Sequence, residues 1–168
     1  IMKEEERETR ILMEGLYDQP GKRVTPRTPA VLPPFDGYRL DRLGLVDWLV
    51  SKENPLFARV SVNRLWQQFF GYGLVKTPDN FGLQGELPSH PELLDWLAKD
   101  FINHKWDLHQ TIKKIVLSAT YGQSSTHRPE LEDPENRSLS RASSFRLPAE
   151  MIRDQALAAS GLLSKKVG

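Results

Sequence analysis

From residue 41 onward, apolar side chains recur at three- and four-residue spacings, in segments that open with helix start signals. Asn54 before Pro55 is one such signal, because Asn caps a helix and Pro needs no donor in the first turn. Ser89 with Glu92 has the capping-box spacing, and Asp107 precedes another apolar segment. The pattern predicts helices over about 41–50, 54–70, 89–101, 107–119 and 148–161.

Strand signals are weak throughout the chain. No convincing run alternates apolar and polar residues, and no Asn-Gly or Asp-Gly turn joins two β-rich runs. The length of 168 residues suits one domain. The sequence therefore predicts an all-α fold, with a single irregular helical domain of five to six helices, long loops and a Pro-rich N-terminal linker.

The first 38 residues have a different composition. Residues 1–14 are rich in Glu and Arg and precede a glycine, which predicts the end of an upstream helix. Residues 15–38 contain five prolines and are predicted to form an extended linker, because proline supports neither a helix interior nor a central strand. The helical domain is then expected over residues 39–168. Since residue 1 is Ile, we expect the sequence to be a piece of a longer protein.

Charge and hydropathy narrow the range of partners. Lys and Arg total 23 against 22 Asp and Glu, so the net charge is +1. This balance argues against a nucleic-acid-binding protein and against binding to an anionic membrane. No apolar run approaches about 18 residues, so no membrane insertion is expected.

Cysteine is absent, which excludes thiolate metal sites, thiol nucleophiles and covalent haem attachment within this chain. The four histidines, at positions 90, 104, 109 and 127, include no pair at helical spacing that would suit a metal. We therefore expect no metal and no cofactor in this chain.

The helix predicted over 54–70 carries a polar stripe. Arg59, Asn63 and Gln67 lie at four-residue steps, beside an apolar face that includes Trp66. In one interpretation, Asn63 and Gln67 bond to the backbone of the irregular segment 71–88 and anchor it. In the other, the stripe lines a cleft for a polar ligand such as a sugar, with Trp66 or Trp48 as the stacking surface.

The glycine-rich segment 71–88 and its flank supply the remaining candidate site residues. Asp79, Glu86 and His90 are candidate acid/base groups, and together with Asn80 they are candidate ligand-binding or loop-anchoring residues. No catalytic residue is assigned. The polar, Ser- and Arg-rich stretch 121–147 is predicted to be a long surface connection.

Several long strings resemble one known family, the planctomycete-specific domain of unknown function 1553. They include ENPLFARVSVNRLWQQFFGYGLVKTPDNFG (53–82), GELPSHPELLDWLAKDF (85–101) and RLPAEMIRDQALAASG (146–161). The resemblance implies the C-terminal module of a large exported protein with a cytochrome-c-like haem domain upstream. It further implies an extracytoplasmic (periplasmic or exported) location, upstream domains as partners and polysaccharide as a candidate partner. It carries over no catalytic residue, because the family has none assigned.

Two functions remain open at this point. The first is a non-catalytic interaction or ligand-binding helical module, with a glycan as one candidate ligand, in a larger haem-containing protein. The alternative is part of a hydrolytic or redox enzyme whose site is completed by upstream domains. A cleft that holds two carboxylates, or a carboxylate and a histidine, with perturbed pKa values would favour the enzyme.

Overall fold

The computed structural model describes residues 8–127, 129–164 and 166, and over these residues the chain is mostly helical. It divides into two compact units, Ile1–Phe57 and Ala58–Gly168. The α-helices of the described part are Arg42–Leu49 (α1), Phe57–Phe70 (α2), Pro91–Asn103 (α3), Leu108–Val116 (α4), Ala119–Gly122 (α5) and Ala149–Ala159 (α6). None of these helices is long and apolar enough to cross a membrane.

The first unit contains a β-hairpin, which corrects both the all-α prediction and the helix predicted over residues 1–14. Strand β1 (Thr9–Leu12) pairs antiparallel with β2 (Pro20–Val24), and Thr9 lies opposite Val24. A 3-10 turn, Met13–Gly15, begins the connection. Residues 1–14 are rich in good helix formers, but residues 9–12 form a strand because they pair with β2, which follows seven residues later. Helix propensity does not take such pairing into account. Residues 1–7 of the predicted helix lie outside the described residues.

The segment predicted as an extended linker, residues 15–38, contains β2 and also packs within the first unit. The indole Nε1 of Trp48 on α1 donates a hydrogen bond of 3.1 Å to the carbonyl of Pro33. The ring of Phe35 lies 6.3 Å from that of Trp48. These contacts place α1 with the proline-rich segment in the first compact unit, Ile1–Phe57, and the domain boundary at residue 39 stays a prediction.

The second unit is built around an apolar core shared by α2, α3 and α4. Val62, Leu94 and Ile115 are fully buried at its centre. Leu74 and Val75, from the irregular segment 71–88, are buried in the same cluster. The predicted core faces of α2 and α3 are thus confirmed, and the irregular segment supplies part of the core as well.

Two of the predicted helix starts are confirmed and one is wrong. Asn54 accepts hydrogen bonds from the N–H groups of Leu56 and Phe57, and Asp107 accepts one from Gln110 N at 3.1 Å. The capping box predicted at Ser89 does not form, because α3 begins at Pro91 with His90 at the N-cap and no side-chain cap. Ser89 instead donates its N–H to the carbonyl of Leu74.

The last helix, α6, has no buried residue. Met151, Ile152, Ala159 and Leu162, apolar residues in or just after this helix, are all exposed. The apolar spacing correctly indicated a helix, but it did not indicate a buried face. Leu108 and Ala119, at the two ends of the helix predicted over 107–119, are also exposed.

Candidate functional site

The polar stripe on α2 has one fully buried member, Asn63. Its Nδ2 donates to the carbonyl of Val75 at 3.0 Å, and its Oδ1 accepts the N–H of Val75 at 2.8 Å. One side-chain amide therefore satisfies both backbone groups of a buried residue in segment 71–88. This is the contact that the anchoring interpretation requires of Asn63.

Gly73 explains how the backbone comes so close to that amide. A Cβ built on Gly73 would lie 2.5 Å from Asn63 Nδ2 and 2.6 Å from the carbonyl oxygen of Val75. Both contacts are shorter than nonbonded atoms tolerate, so only glycine fits there. Packing around Asn63 thus explains the glycine at position 73.

The other members of the stripe have separate roles. Arg59 Nε lies 3.0 Å from the Asp95 carboxylate on α3, a contact without good hydrogen-bond geometry. The half-buried side chain of Gln67 makes no hydrogen bond within the described residues. Of the two side chains predicted to anchor segment 71–88, Asn63 makes the bond and Gln67 makes none within the described residues.

The two tryptophans considered as sugar-stacking surfaces are both buried, which corrects that interpretation. Trp66 is 4% exposed and stacks on Phe70, with ring centroids 4.1 Å apart. Trp48 is 5% exposed and bonds to Pro33. Neither indole presents a face to a ligand, since each is used for packing.

The candidate residues Asp79 and Asn80 serve turns and surface pairs. Asp79 forms an exposed ion pair of 2.8 Å with Arg64. Asn80 Oδ1 accepts the N–H of Gly82, and its carbonyl accepts the hydroxyl of Thr77. These are the local bonds of a tight turn.

Glu86 and His90 likewise have partners of their own. The Glu86 carboxylate lies 3.6 Å from Arg137, and His90 Nδ1 lies 3.0 Å from the hydroxyl of Ser89. None of five cavities in the described part of the chain is lined by Asp79, Glu86 or His90. No group of three metal-ligating side chains lies together in the same described part of the chain.

The loop 133–141 is held by its own side chains. The Asp133 carboxylate accepts the N–H groups of Arg137 at 2.7 Å and Ser138 at 2.9 Å. Asn136 bonds to both backbone groups of Arg141, whose guanidinium donates to the carbonyl of Asp133. Desolvation of Asp133 opposes ionisation, but the bonds from Ser138, Arg137 and Ser140 outweigh it and lower its pKa.

Two ion pairs fasten this loop to segment 71–88. Lys76 Nζ lies 2.8 Å from Glu135, and Arg137 lies 3.6 Å from Glu86. The hydrogen bond between Lys76 and Glu135 raises the pKa of the lysine and lowers the pKa of the glutamate. The two loops thus form one wall beside the end of α2.

An aromatic cleft of about 600 Å³ opens beside that wall, between the end of α2, α5 and the segment that leads into α6. The ring of Tyr121 stands edge-on to Phe69 at 6.2 Å and to Phe70 at 6.0 Å. Phe145 also lines the cleft and lies next to Gly71, where a Cβ would come within 3.2 Å of its ring. The lining is Gln68, Phe69, Phe70, Tyr121, Gln123, Ser125, Ala142, Ser143, Ser144, Phe145, Leu147 and Met151.

The sequence pattern does not indicate this cleft. Residues 121–147 are polar enough to predict a surface connection, although the segment begins at Tyr121 and contains Phe145. Two isolated aromatics in an otherwise polar stretch were the available signal. That signal was weak, because only the tertiary structure brings the two rings to one cavity.

Comparison with known proteins identifies the family. A family model described as PSD1, "Protein of unknown function (DUF1553)", matches residues 41–168. The chain belongs to this family. The DUF1553 match includes all six helices and the aromatic cleft, while β1 and β2 lie before it. No curated protein and no solved structure matches the chain.

Replacing Asn63 with Ala should lower the free energy of unfolding by about 1–3 kcal/mol, because both buried backbone groups of Val75 lose their partner. For a chain of this size the melting temperature should fall by about 2–4 °C per kcal/mol. Gln67→Ala is the matched control on the same helix and should change the free energy by no more than about 0.5 kcal/mol. Thermal melts in which both variants match the parent would contradict the anchoring role.

Gly73→Ala should also destabilise the protein, by about 1–3 kcal/mol, since the new methyl group overlaps the Asn63 amide. Gly122→Ala is the control, because a Cβ at Gly122 would meet no atom within 4 Å. Urea denaturation of the two variants separates steric overlap from a general effect of removing glycine. Equal unfolding midpoints for Gly73→Ala and the parent would show that the backbone does not pass the amide this closely.

The lowered pKa of Asp133 predicts a pH-dependent contribution to stability. Because the pKa of Asp133 is lower in the folded state, its ionised carboxylate stabilises the fold at pH values above the ordinary pKa of 3.8. This contribution is lost as the pH falls through the folded-state pKa. Asp133→Asn should therefore unfold at lower urea than the parent at pH 7 and at pH 5, with the gap closing towards pH 3. Asp154→Asn, an exposed carboxylate on α6, is the control. A gap that is independent of pH would contradict the assignment.

Proposed function

We propose that this chain is a non-catalytic ligand-binding module whose site is the aromatic cleft, and that its ligand class is a neutral glycan. The observation that carries the proposal is the pair of half-exposed rings, Tyr121 and Phe145, that line one cavity. Its volume of about 600 Å³ falls within the range of about 300–1,000 Å³ usual for small-molecule sites.

The chemistry of the lining suits a sugar. A pyranose ring has apolar C–H faces that pack on aromatic rings, and hydroxyl groups that need donors and acceptors around its edge. The rings are supplied by Tyr121 and Phe145, and Gln68, Ser143 and Ser144 lie at the polar margin. The described residues that line the cleft include no charged side chain, which favours a neutral ligand over an acidic one.

The placement of the candidate acid/base groups supports binding rather than catalysis. Asp79, Glu86 and His90 each contact a different partner, and none of them lines the cleft. General acid/base chemistry needs such a group within hydrogen-bond reach of the reacting atoms. The enzyme alternative therefore gains no support from this cavity.

The cellular setting remains part of the proposal. We propose that the module is extracytoplasmic and works beside upstream domains of a larger haem-containing protein. The support is the family resemblance of the strings 53–82, 85–101 and 146–161. In this setting haem binds elsewhere in the parent protein and this module contributes the glycan contact.

Calorimetric titration of the chain with neutral hexasaccharides tests the proposal, with cellohexaose, xylohexaose and mannohexaose as probes. We expect at least one to bind, and Phe145→Ala to weaken binding by about tenfold or more, which corresponds to ~1.4 kcal/mol. Tyr121→Phe keeps the ring and reports on the hydroxyl alone. Tyr17→Phe, at an exposed tyrosine in the first unit, is the matched control.

Two results would overturn this function. If none of the three sugars binds, the glycan assignment fails. If Phe145→Ala binds as tightly as the parent while circular dichroism shows it folded, the cleft is not the site. A reducing-end assay on the same samples separates binding from hydrolysis, and released sugar would favour the enzyme alternative.

A further inference from the structure

Trp96 on α3 is the most exposed tryptophan of the chain. Its exposed fraction is 54%, against 5% for Trp48 and 4% for Trp66, while Trp106 is half-buried. An indole is the largest apolar side chain, and leaving it in water forgoes the free energy of burial. A solvent-facing Trp96 is therefore a feature of the fold that core packing does not require.

Polar groups stand beside this ring in a fixed arrangement. Trp96 and Asp100 are four residues apart and so share one face of α3, and His104 follows at the C-cap of that helix. Lys114 reaches across from α4, with Nζ 2.5 Å from both Asp100 carboxylate oxygens and 5.7 Å from the centroid of the Trp96 ring. His104 Nδ1 lies 3.3 Å from the same carboxylate.

The Lys114–Asp100 pair is preorganised for hydrogen bonding. The Asp100 side chain is only 15% exposed and the Lys114 side chain 32%, so neighbouring atoms hold both. An ammonium that donates and a carboxylate that accepts, side by side, match two adjacent hydroxyl groups of a sugar. The pair carries no net charge, which favours a neutral ligand.

We propose that Trp96, Asp100 and Lys114 form a second carbohydrate-binding platform on the face shared by α3 and α4. A neutral pyranose stacks its C–H face on the indole of Trp96, and its hydroxyl groups exchange hydrogen bonds with Lys114 and Asp100. This platform shares no residue with the aromatic cleft. The two proposals therefore stand or fall separately.

The surroundings of the ring favour a sugar over a protein partner. Glu92 and Lys99, four residues before and three residues after Trp96, are both exposed and charged. The ring thus has charged neighbours on its own helix, whereas a stable protein interface buries about 800 Å² on each partner around an apolar centre. One stacked ring with hydrogen bonds at its edge is enough for a single sugar unit.

The indole N–H resonance of Trp96 gives a direct readout. In ¹H–¹⁵N spectra of the Phe145→Ala chain, which removes the cleft ring, we expect at least one of cellohexaose, xylohexaose and mannohexaose to shift this resonance saturably. In calorimetric titration of the same Phe145→Ala chain, Trp96→Ala should weaken the remaining binding by more than tenfold, and Lys114→Met should weaken it by about tenfold. Leu117→Ala, an exposed apolar residue that follows α4, is the control and should bind as Phe145→Ala does.

Each other outcome overturns the proposal. If no neutral hexasaccharide shifts the Trp96 resonance, there is no platform. If Trp96→Ala retains the binding while remaining folded, the sugar lies elsewhere. If only an oligogalacturonate shifts the resonance, the ligand is acidic and the neutral assignment is wrong. The Trp96 resonance is recorded in the Phe145→Ala chain, so it does not depend on binding at the aromatic cleft. A wrong assignment of the cleft is therefore distinguishable from a wrong assignment of the Trp96 platform.

Discussion

The second unit depends on one buried amide, that of Asn63, and its two hydrogen bonds to Val75. Leu74 and Val75 belong to the apolar core, yet they lie in an irregular segment whose backbone groups have no helix or sheet to satisfy them. Leaving a buried backbone group without a hydrogen-bond partner costs about 1–3 kcal/mol of folding free energy. An irregular segment can therefore lie in a core only where side chains replace the hydrogen bonds of a helix or sheet. Asn63 provides this replacement, and Gly73 leaves room for it.

The hydrogen bonds between Asn63 and Val75 also fix where the chain goes after segment 71–88. With Leu74 fixed, its carbonyl accepts the N–H of Ser89, which places the chain at the start of α3. The same segment carries Lys76 and Glu86, the two residues that hold loop 133–141 by ion pairs. The aromatic cleft lies beside that loop, so its shape depends on a bond made well away from its own rings.

The buried member of the polar stripe on α2 is used for packing and not as a binding surface. A polar residue on an apolar helix face suggests a functional site. Here, however, the Asn63 amide is hydrogen-bonded to Val75, and Trp66 is buried against Phe70. The aromatic rings that stay exposed include Tyr121, Phe145 and Trp96, which carry the two proposed binding sites. Binding surfaces are found where apolar area stays in water despite its cost.

Sequence alone determined the helices and the family, because both are recorded locally. Asn54 and Asp107 act through groups two or three residues away, and long strings of the chain carry the resemblance. Tertiary structure decided what each helix face meets. Apolar periodicity identifies which face of a helix is apolar, but not what packs against that face. One face of α3 is therefore buried in the core while α6 has no buried residue. Likewise, Trp66 is buried and Trp96 is exposed. The hairpin of β1 with β2 and the meeting of Tyr121 with Phe145 likewise depend on contacts between distant residues, which local propensity cannot encode.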